Sequence, residues 1–427
     1  MKTSIVCIGS EINLGLITNT NSTYIARKLS EIGIESNIII SVKDLKNDIK
    51  NAVNFCMENS DIIILSGGLG PTEDDITREA AAELLNLKLI KNDSLDDKSL
   101  RFIRKEISQK LREKLLKQSY IPEGAQPIIP NIGSASGFEI YLKEKDKWLF
   151  SIPGVPKEME DMVDNSILKK IKNILNSRKE NNEKILRKVL LTTGISESEI
   201  EEKIPDIYEL AANLGVEIGI TASPGIIKLI IVSRSLSDEK NIENVGKIKN
   251  LLFERLDEFI YGEENMLISE SLKDTILNSG KMISISAAES MTGGLVSQMI
   301  TDVPGSSGYF KGSVISYSDF SKVKLLGVSE EILNNYGAVS EQVCREMALN
   351  TKKIFQSDYS LSISGFAGPE AGNNIENVGL TFIGIAMPDE NIKIFKLKFI
   401  GTRTEIKYRA SQFALNKLRL QIQKAIK

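Results

Sequence analysis

The chain has 427 residues, of which 41% are hydrophobic and 26% are charged, an ordinary composition for a globular protein of two or three domains. Its net charge of −3 argues against a nucleic-acid surface, because binding to a phosphate backbone needs clustered Lys and Arg. The sequence contains no histidine, which excludes Ser-His-Asp and Cys-His catalysis and histidine-containing zinc sites. Acid–base chemistry must use Asp, Glu, Lys, Tyr, Cys or water, and a metal ion would need oxygen ligands.

The pattern of the chain indicates a cytoplasmic protein without a membrane partner. The N-terminus runs directly into a strand-like segment and shows no signal peptide. No apolar stretch approaches the roughly 18 residues that a membrane-spanning helix needs. The three cysteines are widely separated and form neither a metal-ligand spacing nor a disulfide framework.

Strand and helix patterns alternate in the first part of the chain. Strands are predicted at 3–9, 36–42 and 61–68, helices at 20–33, 45–59 and 71–85, and a solvated helical excursion at 91–117. This alternation predicts a doubly wound α/β domain, whose ligands should lie at the carboxyl ends of its strands.

Three domains are predicted from shifts in composition. The doubly wound domain spans 1–168, and the polar, charged run 169–184 begins a small α+β connecting domain at 169–262. The segment 261–266 is interpreted as a linker. The C-terminal domain, 267–427, returns to an α/β pattern.

The C-terminal domain carries polar groups where strands end. The predicted strand 282–288 leads to Ser290 and to a turn with two glycines, which allow close approach of a ligand. Segments 311–328 and 360–374 are strands that run into polar or Gly-rich loops, and 399–415 places two arginines at a helix start. These features together suit a phosphorylated small molecule, although each alone also fits an ordinary turn or a solvated helix face.

Ser290 needs a base, and lysine is the candidate in a chain without histidine. A lysine can accept the hydroxyl proton when partial burial brings its pKa toward neutrality. Lys322 is the best candidate because it follows a strand among hydroxyl groups.

Five motifs in this order, "AAESMTGG", "SYSDFSK", "GAVS", "SISGFAGPEAG" and "GTRTEIKYRA", resemble the C-terminal domain of the CinA family. The resemblance implies hydrolysis of nicotinamide mononucleotide to nicotinate mononucleotide and ammonia, without a cofactor. It implies Ser290 as nucleophile, Lys322 as base and Tyr317 as a supporting hydroxyl. The substrate-binding residues implied are Thr292, Gly293, Gly294, Ser364, Gly365, Gly368, Arg403 and Arg409. Met291 and Asp319 depart from the family pattern, which has cysteine and often asparagine at these positions.

The N-terminal motifs "GSEINLGLITNTNSTYIARKL", "LSGGLGPTEDDITREA" and "SIPGVPKEM" resemble the molybdopterin-binding-type domain of the same family. The glycine loop is suited to cradling phosphate. Asp74 and Asp75 are predicted in the first turn of the next helix, where they would complement the helix dipole or bind Mg²⁺ or a similar divalent ion. The resemblance implies hydrolysis of a nucleoside diphosphate such as ADP-ribose. The nucleotide-binding residues implied are Glu11, Asn19, Asn21, Gly67, Gly68, Gly70 and Thr72, with Gly154 and Pro156 shaping the last loop.

The middle domain matches the family's KH-like unit but lacks the G-x-x-G loop with basic flanks that RNA binding requires. We therefore interpret it as a spacer or dimerisation unit and expect a homodimer. The leading hypothesis is an enzyme of pyridine-nucleotide salvage with two hydrolytic sites. The alternatives are a non-catalytic nucleotide-binding protein in competence or the DNA-damage response, and a molybdopterin-handling role for the N-terminal domain.

Overall fold

The computed structural model describes residues 1–92, 94–95, 115–178, 184–370, 375–389 and 391–426. Most of the excursion predicted at 91–117 lies outside these residues, as does 371–374 of the predicted Gly-rich loop. The described chain divides into two compact units, one formed by Met1–Arg187 with Arg234–Ile242 and the other by Lys188–Ser233 with Glu243–Lys427.

The described strands are β1 (Thr3–Ile8), β2 (Ser36–Val42), β3 (Ile62–Ser66), β4 (Leu89–Lys91), β5 (Tyr120–Pro122), β6 (Gln126–Ile128), β7 (Gly137–Leu142), β8 (Lys147–Ile152), β9 (Lys184–Thr192), β10 (Val216–Ser223), β11 (Ile226–Ser235), β12 (Ile260–Glu263), β13 (Ile285–Glu289), β14 (Phe310–Ile315), β15 (Tyr359–Gly365), β16 (Leu380–Ala386) and β17 (Ile392–Lys398).

The described α-helices are α1 (Ser10–Asn13), α2 (Thr20–Ser30), α3 (Lys46–Asn59), α4 (Thr77–Leu84), α5 (Pro156–Met162), α6 (Leu168–Arg178), α7 (Glu197–Lys203), α8 (Pro205–Asn213), α9 (Asp238–Leu256), α10 (Ile268–Leu277), α11 (Leu295–Thr301), α12 (Asp319–Leu326), α13 (Glu330–Tyr336), α14 (Glu341–Phe355) and α15 (Arg403–Ile426). A π-helical turn, Val163–Ile167, joins α5 to α6.

The first sheet has the order β2-β1-β3-β8-β7-β6, with parallel pairs from β2 to β8 and antiparallel pairs at the β7–β6 edge. Strands β1 and β3 are buried along their whole length. Their side chains alternate between two cores: Val6 and Leu65 pack on one face with α3, while Ile5 and Ile64 pack on the other with α2. Helices therefore cover both faces, as the doubly wound prediction requires.

The C-terminal sheet has the order β14-β13-β15-β16-β17. Strand β13 pairs in parallel with β14 and β15, and β16 and β17 complete the sheet in antiparallel fashion. One face packs against α10 and α15, and the other against α12 and α14. Because β13 lies between the parallel strands β14 and β15, its carboxyl end has a strand end on either side, which is where α/β folds place ligands.

A third sheet, of order β10-β11-β9-β12, forms the middle of the chain. Its edge strand corrects the prediction of a linker at 261–266, because Ile260–Glu263 pairs antiparallel with β9. The segment is too short and too polar to show an alternating pattern, and its strand conformation depends on pairing with β9. The α/β fold class is otherwise confirmed.

Candidate functional site

Ser290 follows directly after β13 and begins a tight turn. Its backbone N–H donates to the Ile363 carbonyl of β15 at 3.0 Å, which fixes the residue at the end of the sheet. Gly293 and Gly294 continue the turn with φ values of +62° and +100°, a region that residues with a Cβ atom rarely occupy. The chain then enters α11, and the Ser290 side chain is left buried, with 7% exposure.

Lys322 comes from the neighbouring strand connection. After β14 the Ser318 hydroxyl accepts a hydrogen bond from the Ser321 N–H and caps α12, and the first turns of this helix direct Lys322 inward. Its side chain is only 2% exposed. The Nζ atom lies 3.3 Å from Ser290 Oγ and 3.2 Å from the Ser316 carbonyl oxygen. The structure thus brings the predicted nucleophile and base together.

Burial lowers the pKa of Lys322 from its ordinary value, while the Asp319 carboxylate, with Oδ1 3.9 Å from Nζ, opposes the shift and raises this pKa. Desolvation is the larger effect because a charged ammonium loses its hydration on burial. Asp319 is 66% exposed, so solvent screens its charge. The arrangement favours the neutral amine that a general base requires.

Glu289 is the carboxylate nearest to Ser290 in sequence, but it is fully buried and already bonded. Its Oε2 accepts from the N–H groups of Gly294 (2.9 Å) and Val296 (3.1 Å). Its Oε1 accepts from the N–H and the hydroxyl of Ser297 at 2.9 and 2.6 Å. Glu289 therefore holds the start of α11 and does not face a substrate. Both carboxylate oxygens of Glu289 are occupied, so Glu289 is not placed to activate a water molecule.

Two of the three amides of residues 292–294 already have acceptors. Gly294 N–H donates to Glu289, and Gly293 N–H donates to the Ser290 carbonyl at 3.1 Å. Among the described residues no acceptor contacts the N–H of Met291 or Thr292. The Thr292 hydroxyl is also buried without a partner. In the segments that the structure describes, the amides of Met291 and Thr292 are therefore the ones after Ser290 that remain free to donate.

Arg403 lies at the start of α15 and joins two of the predicted loops. Its guanidinium donates to the Gly368 carbonyl at 2.6 Å and to the Tyr317 hydroxyl at 3.0 Å. Tyr317 is hence held by Arg403, and among the described residues it has no hydrogen bond to Ser290 or Lys322. Arg403 and Tyr317 form one wall of the site.

Lys407, one turn beyond Arg403, is a residue that the sequence analysis missed. It borders a cavity of about 440 Å³ formed by Thr292–Leu295, Gln298, Thr404 and Tyr408. Its Nζ is the atom nearest to the open side of Gly293, 3.7 Å from where a Cβ would stand. Within the described part of the chain Lys407 has no acidic partner. The i, i+4 spacing from Arg403 could have revealed it, since both then share one helix face.

Arg409 does not belong to this site. It lines a separate cavity with Gly225 and Phe413. Arg409 comes six residues after Arg403 on α15, and this spacing places the two side chains about 240° apart around the helix axis. The structure thus does not bring Arg409 together with Ser290 and Lys322, although the sequence led us to expect it.

Ser364 and Gly365 have packing roles at the end of β15. The Ser364 hydroxyl is buried and donates to the Ala338 carbonyl at 2.7 Å, so it is not presented to a ligand. A Cβ atom at Gly365 would overlap the sulfur of Met291. Met291 itself is buried in the apolar core, where methionine can replace a smaller residue without affecting chemistry.

The N-terminal unit holds a second candidate site at the carboxyl ends of β1, β3 and β8. A cavity of about 540 Å³ is lined by, among others, Glu11, Asn19, Asn21, Gly67, Gly68, Gly70, Asp74, Asp75, Gly154 and Pro156. All but one of the predicted nucleotide and metal residues thus line one cavity, and the exception is Thr72. Gly67 has φ +118°, and a Cβ there would overlap the Ile8 carbonyl oxygen, so only glycine allows this loop.

Asp74 and Asp75 are not in a helical turn, contrary to the prediction, because α4 begins only at Thr77. They belong to a loop closed by Thr72. The Thr72 hydroxyl donates to Asp74 Oδ1 (2.5 Å) and Asp75 Oδ2 (2.6 Å), and its N–H donates to Asp75 Oδ2 (2.8 Å). The hydrogen bond from the Thr72 hydroxyl is the largest of the effects that lower the pKa of Asp74. Thr72 and Asp75 have the spacing of a capping box, but their hydrogen bonds close a turn that precedes α4 and do not cap the helix.

The two asparagines organise the opposite wall of the cavity. Asn19 caps α2 by accepting from Ser22 N–H at 3.0 Å. Asn21 Nδ2 donates to the Gly154 carbonyl at 2.8 Å and so ties α2 to the loop after β8. Their side chains are used in holding the loops together, and they contribute polar surface to the cavity.

The acidic residues fit a divalent ion that is shared with a substrate. Within the described residues no group of three or more Asp, Glu or Cys side chains could enclose a metal ion. Asp74 Oδ2 and Asp75 Oδ1 receive no hydrogen bond from Thr72. Mg²⁺ is commonly held by one or two carboxylates together with water and substrate phosphates, which is the donor set that this loop offers.

In the part of the chain that the structure describes, no helix has the length and apolarity to cross a membrane. Three family models match successive parts of the chain: the "Probable molybdopterin binding domain" at residues 4–173, the "Damage-inducible protein CinA KH domain" at 187–262 and the "CinA C-terminal domain" at 267–422. The three matches follow the order of the three sheets.

Relatives match over the full length. A CinA-like protein of Endomicrobium trichonymphae is 38% identical over 433 residues, covering 99% of both chains. A CinA-like protein of Dictyoglomus thermophilum is 36% identical over 426 residues, covering 98% of both. A solved structure of a competence or damage-inducible protein from Enterobacter asburiae is 28% identical and covers 37% of this chain and 99% of its own, with a TM-score of 0.35. On the full-length matches and the three family models, the chain belongs to the CinA family.

Proposed function

We propose that the C-terminal site hydrolyses the carboxamide of nicotinamide mononucleotide, giving nicotinate mononucleotide and ammonia. The observation that carries the proposal is the contact at 3.3 Å between the Lys322 amine and the Ser290 hydroxyl, two side chains that are both buried. Burial that lowers the pKa of Lys322 supports its use as a base in a chain that has no histidine.

The residues support an acyl-enzyme route. The neutral Lys322 amine takes the Ser290 hydroxyl proton as Oγ attacks the carboxamide carbon, and the amides of Met291 and Thr292 donate to the resulting oxyanion. The C–N bond then breaks, and Lys322 returns the proton to the leaving ammonia. A water molecule, deprotonated by Lys322, attacks the ester. The Ser290–acyl bond breaks, and Oγ regains its proton from Lys322.

Positive charge on α15 accounts for the choice of a phosphorylated substrate. Arg403 uses its guanidinium to hold Gly368 and Tyr317. Lys407 is left as the cation without a described partner beside the Gly293 turn. We assign the 5′-phosphate to Lys407, with Arg403 positioning the wall next to it. Charge-assisted contacts of this kind are stronger than neutral hydrogen bonds.

The test is ammonia release from nicotinamide mononucleotide by the full chain. Ser290→Ala and Lys322→Ala should each abolish release while near-UV circular dichroism stays unchanged. The double variant should be no worse than either single one, because residues that act as a unit lose their joint effect once either is removed. Normal release by Lys322→Ala at neutral pH would exclude this mechanism.

For the N-terminal site we infer a pyrophosphatase that acts on a nucleoside diphosphate such as ADP-ribose. The glycine loop beside Asp74 and Asp75, in a cavity of about 540 Å³, supports this function. Asp74 and Asp75 would hold a divalent ion, which would supply charge neutralisation of the pyrophosphate. The loop N–H groups would orient the substrate phosphates.

A product assay tests this second activity separately. The full chain should release AMP from ADP-ribose only with a divalent ion present. Asp75→Asn should remove most of the activity, and the exposed Glu144→Gln should leave it unchanged. Tight binding of ADP-ribose or molybdopterin without hydrolysis under any divalent ion would favour the non-catalytic alternative instead.

A further inference from the structure

Arg409 borders a cavity that neither proposed activity uses. The cavity lies within the second compact unit, between the middle sheet and α15, and has a volume of about 540 Å³. Its walls come from the loop after β9, the β10–β11 turn, the end of β17 and the α15 side chains Arg409 and Phe413. This size is within the range of small-molecule sites.

Two glycines shape the cavity where the middle sheet approaches α15. Gly225 has φ +74°, and its missing Cβ would stand 3.2 Å from the Arg409 Cα. Gly194 has φ +78°, and its missing Cβ would stand 3.0 Å from the Phe413 ring. The backbone of both loops therefore lies directly against α15.

The polar end of the cavity requires an acceptor. Arg409 Nε is buried and has no hydrogen-bond partner, and among the described residues Arg409 forms no ion pair. Three glutamates also line the cavity: Glu197, Glu199 and Glu405. Glu199 accepts from Ser196 N–H and Glu405 from Thr402 N–H in local turns, Glu197 belongs to the first turn of α7, and the charge of Arg409 contributes to lowering the pKa of Glu405. Lys398 adds a second positive charge to the lining. An unpaired buried guanidinium nitrogen is costly unless an acceptor satisfies it.

The other end of the cavity is apolar. Phe413 lines the cavity and is 8% exposed, and Phe399 packs beside it with ring centroids 6.2 Å apart. A further aromatic ring can pack against such side chains in an offset or edge-to-face arrangement. We propose that this cavity is a binding site for a small aromatic anion, whose carboxylate or phosphate pairs with Arg409 and whose ring contacts Phe399 and Phe413.

Calorimetric titration of the full chain with benzoate, phenyl phosphate and the neutral benzamide tests the proposal. Benzoate or phenyl phosphate should bind, and the tighter of the two identifies the charged group as carboxylate or phosphate. Benzamide should bind at least about 10-fold more weakly, as expected when a charge-assisted contact is lost. Equal affinity for benzamide, or no binding of either anion up to roughly 1 mM, would overturn the proposal.

Variants locate the bound probe. Arg409→Ala should weaken binding of the anions about 10- to 100-fold, and Arg409→Lys should retain part of the affinity if the alanine variant does not fold. Arg345→Ala removes an exposed arginine of α14 and is the matched control, which should bind normally. Arg403→Ala should also bind normally, which separates this cavity from the Ser290 site. Unchanged affinity in a folded Arg409 variant would contradict the assignment.

Discussion

Lys322 Nζ lies 3.9 Å from Asp319 Oδ1, one turn earlier in the same helix. Asp319 raises the pKa of Lys322 against the larger effect of burial. In Asp319→Asn the amine should therefore lose its proton at lower pH, and the rising limb of the kcat/KM–pH profile for deamidation should move toward acid.

The control for this profile is Asp302→Asn, which removes an exposed carboxylate at the far end of α11. This variant should leave the pH of the rising limb unchanged. The shift should also shrink in high salt, because Asp319 is exposed and its charge is screened. A limb that moves toward alkaline pH in Asp319→Asn would mean that the titrating group is not Lys322.

Lys407→Ala should lower kcat/KM for nicotinamide mononucleotide about 10- to 100-fold, because a charge-assisted contact to phosphate contributes roughly 1.5–3 kcal/mol. Deamidation of the unphosphorylated riboside should change far less. Steady-state kinetics on both substrates measures the difference. Lys311→Ala, at the opposite end of β14, serves as control. Equal losses on both substrates would assign Lys407 a structural role.

Glu289→Gln should destabilise the fold, because the buried carboxylate accepts four hydrogen bonds at the start of α11. A loss on the order of 3 kcal/mol in the free energy of unfolding is expected for hydrogen bonds to a charged group. Urea denaturation followed by circular dichroism measures it, with the exposed Glu341→Gln as control. Full stability combined with complete loss of deamidation would instead give Glu289 a chemical role.

Thr72→Val should impair the N-terminal site without disturbing α4. The hydroxyl of Thr72 bonds both Asp74 and Asp75, and its loss frees the two carboxylates from a common orientation. The concentration of Mg²⁺ that gives half-maximal ADP-ribose hydrolysis should rise, while activity at saturating Mg²⁺ falls less. An unchanged Mg²⁺ requirement would show that the threonine does not position the carboxylates.

The sequence predicts strands and helices well where hydrophobic periodicity decides them. Strands β1 and β3 are continuous apolar runs, and their carboxyl ends carry the cavity as expected. Strand β12 could not be predicted from the sequence, because its four residues adopt the strand conformation by pairing with β9. The side of α15 on which Arg409 lies could not be predicted for a different reason. The sheet beneath α15 decides which face of the helix is buried. Hydrophobic periodicity does not identify this face, because many of the buried residues of α15 are polar.

The position of the proposed nucleophile could be predicted from the sequence, but its surroundings could not. The position of Ser290 after an apolar strand, followed by two glycines, is a local signal. The hydrogen bonding of Glu289 depends on where the α11 amides lie relative to β13. The i, i+4 spacing indicates that Lys407 shares a helix face with Arg403, but its place beside the Gly293 turn depends on how α15 packs. Contacts between elements far apart in sequence carry this information.

Helix α12 has a consequence for thermal behaviour. It has eight residues, and only Lys322 and Leu326 are buried, so little apolar surface fastens it to the sheet. Short elements with few buried contacts open at lower free energy than the surrounding core. When α12 detaches, the amine leaves the hydroxyl while β13 and its partners remain paired. Deamidation should therefore disappear on heating before the sheet melts, and should return on cooling.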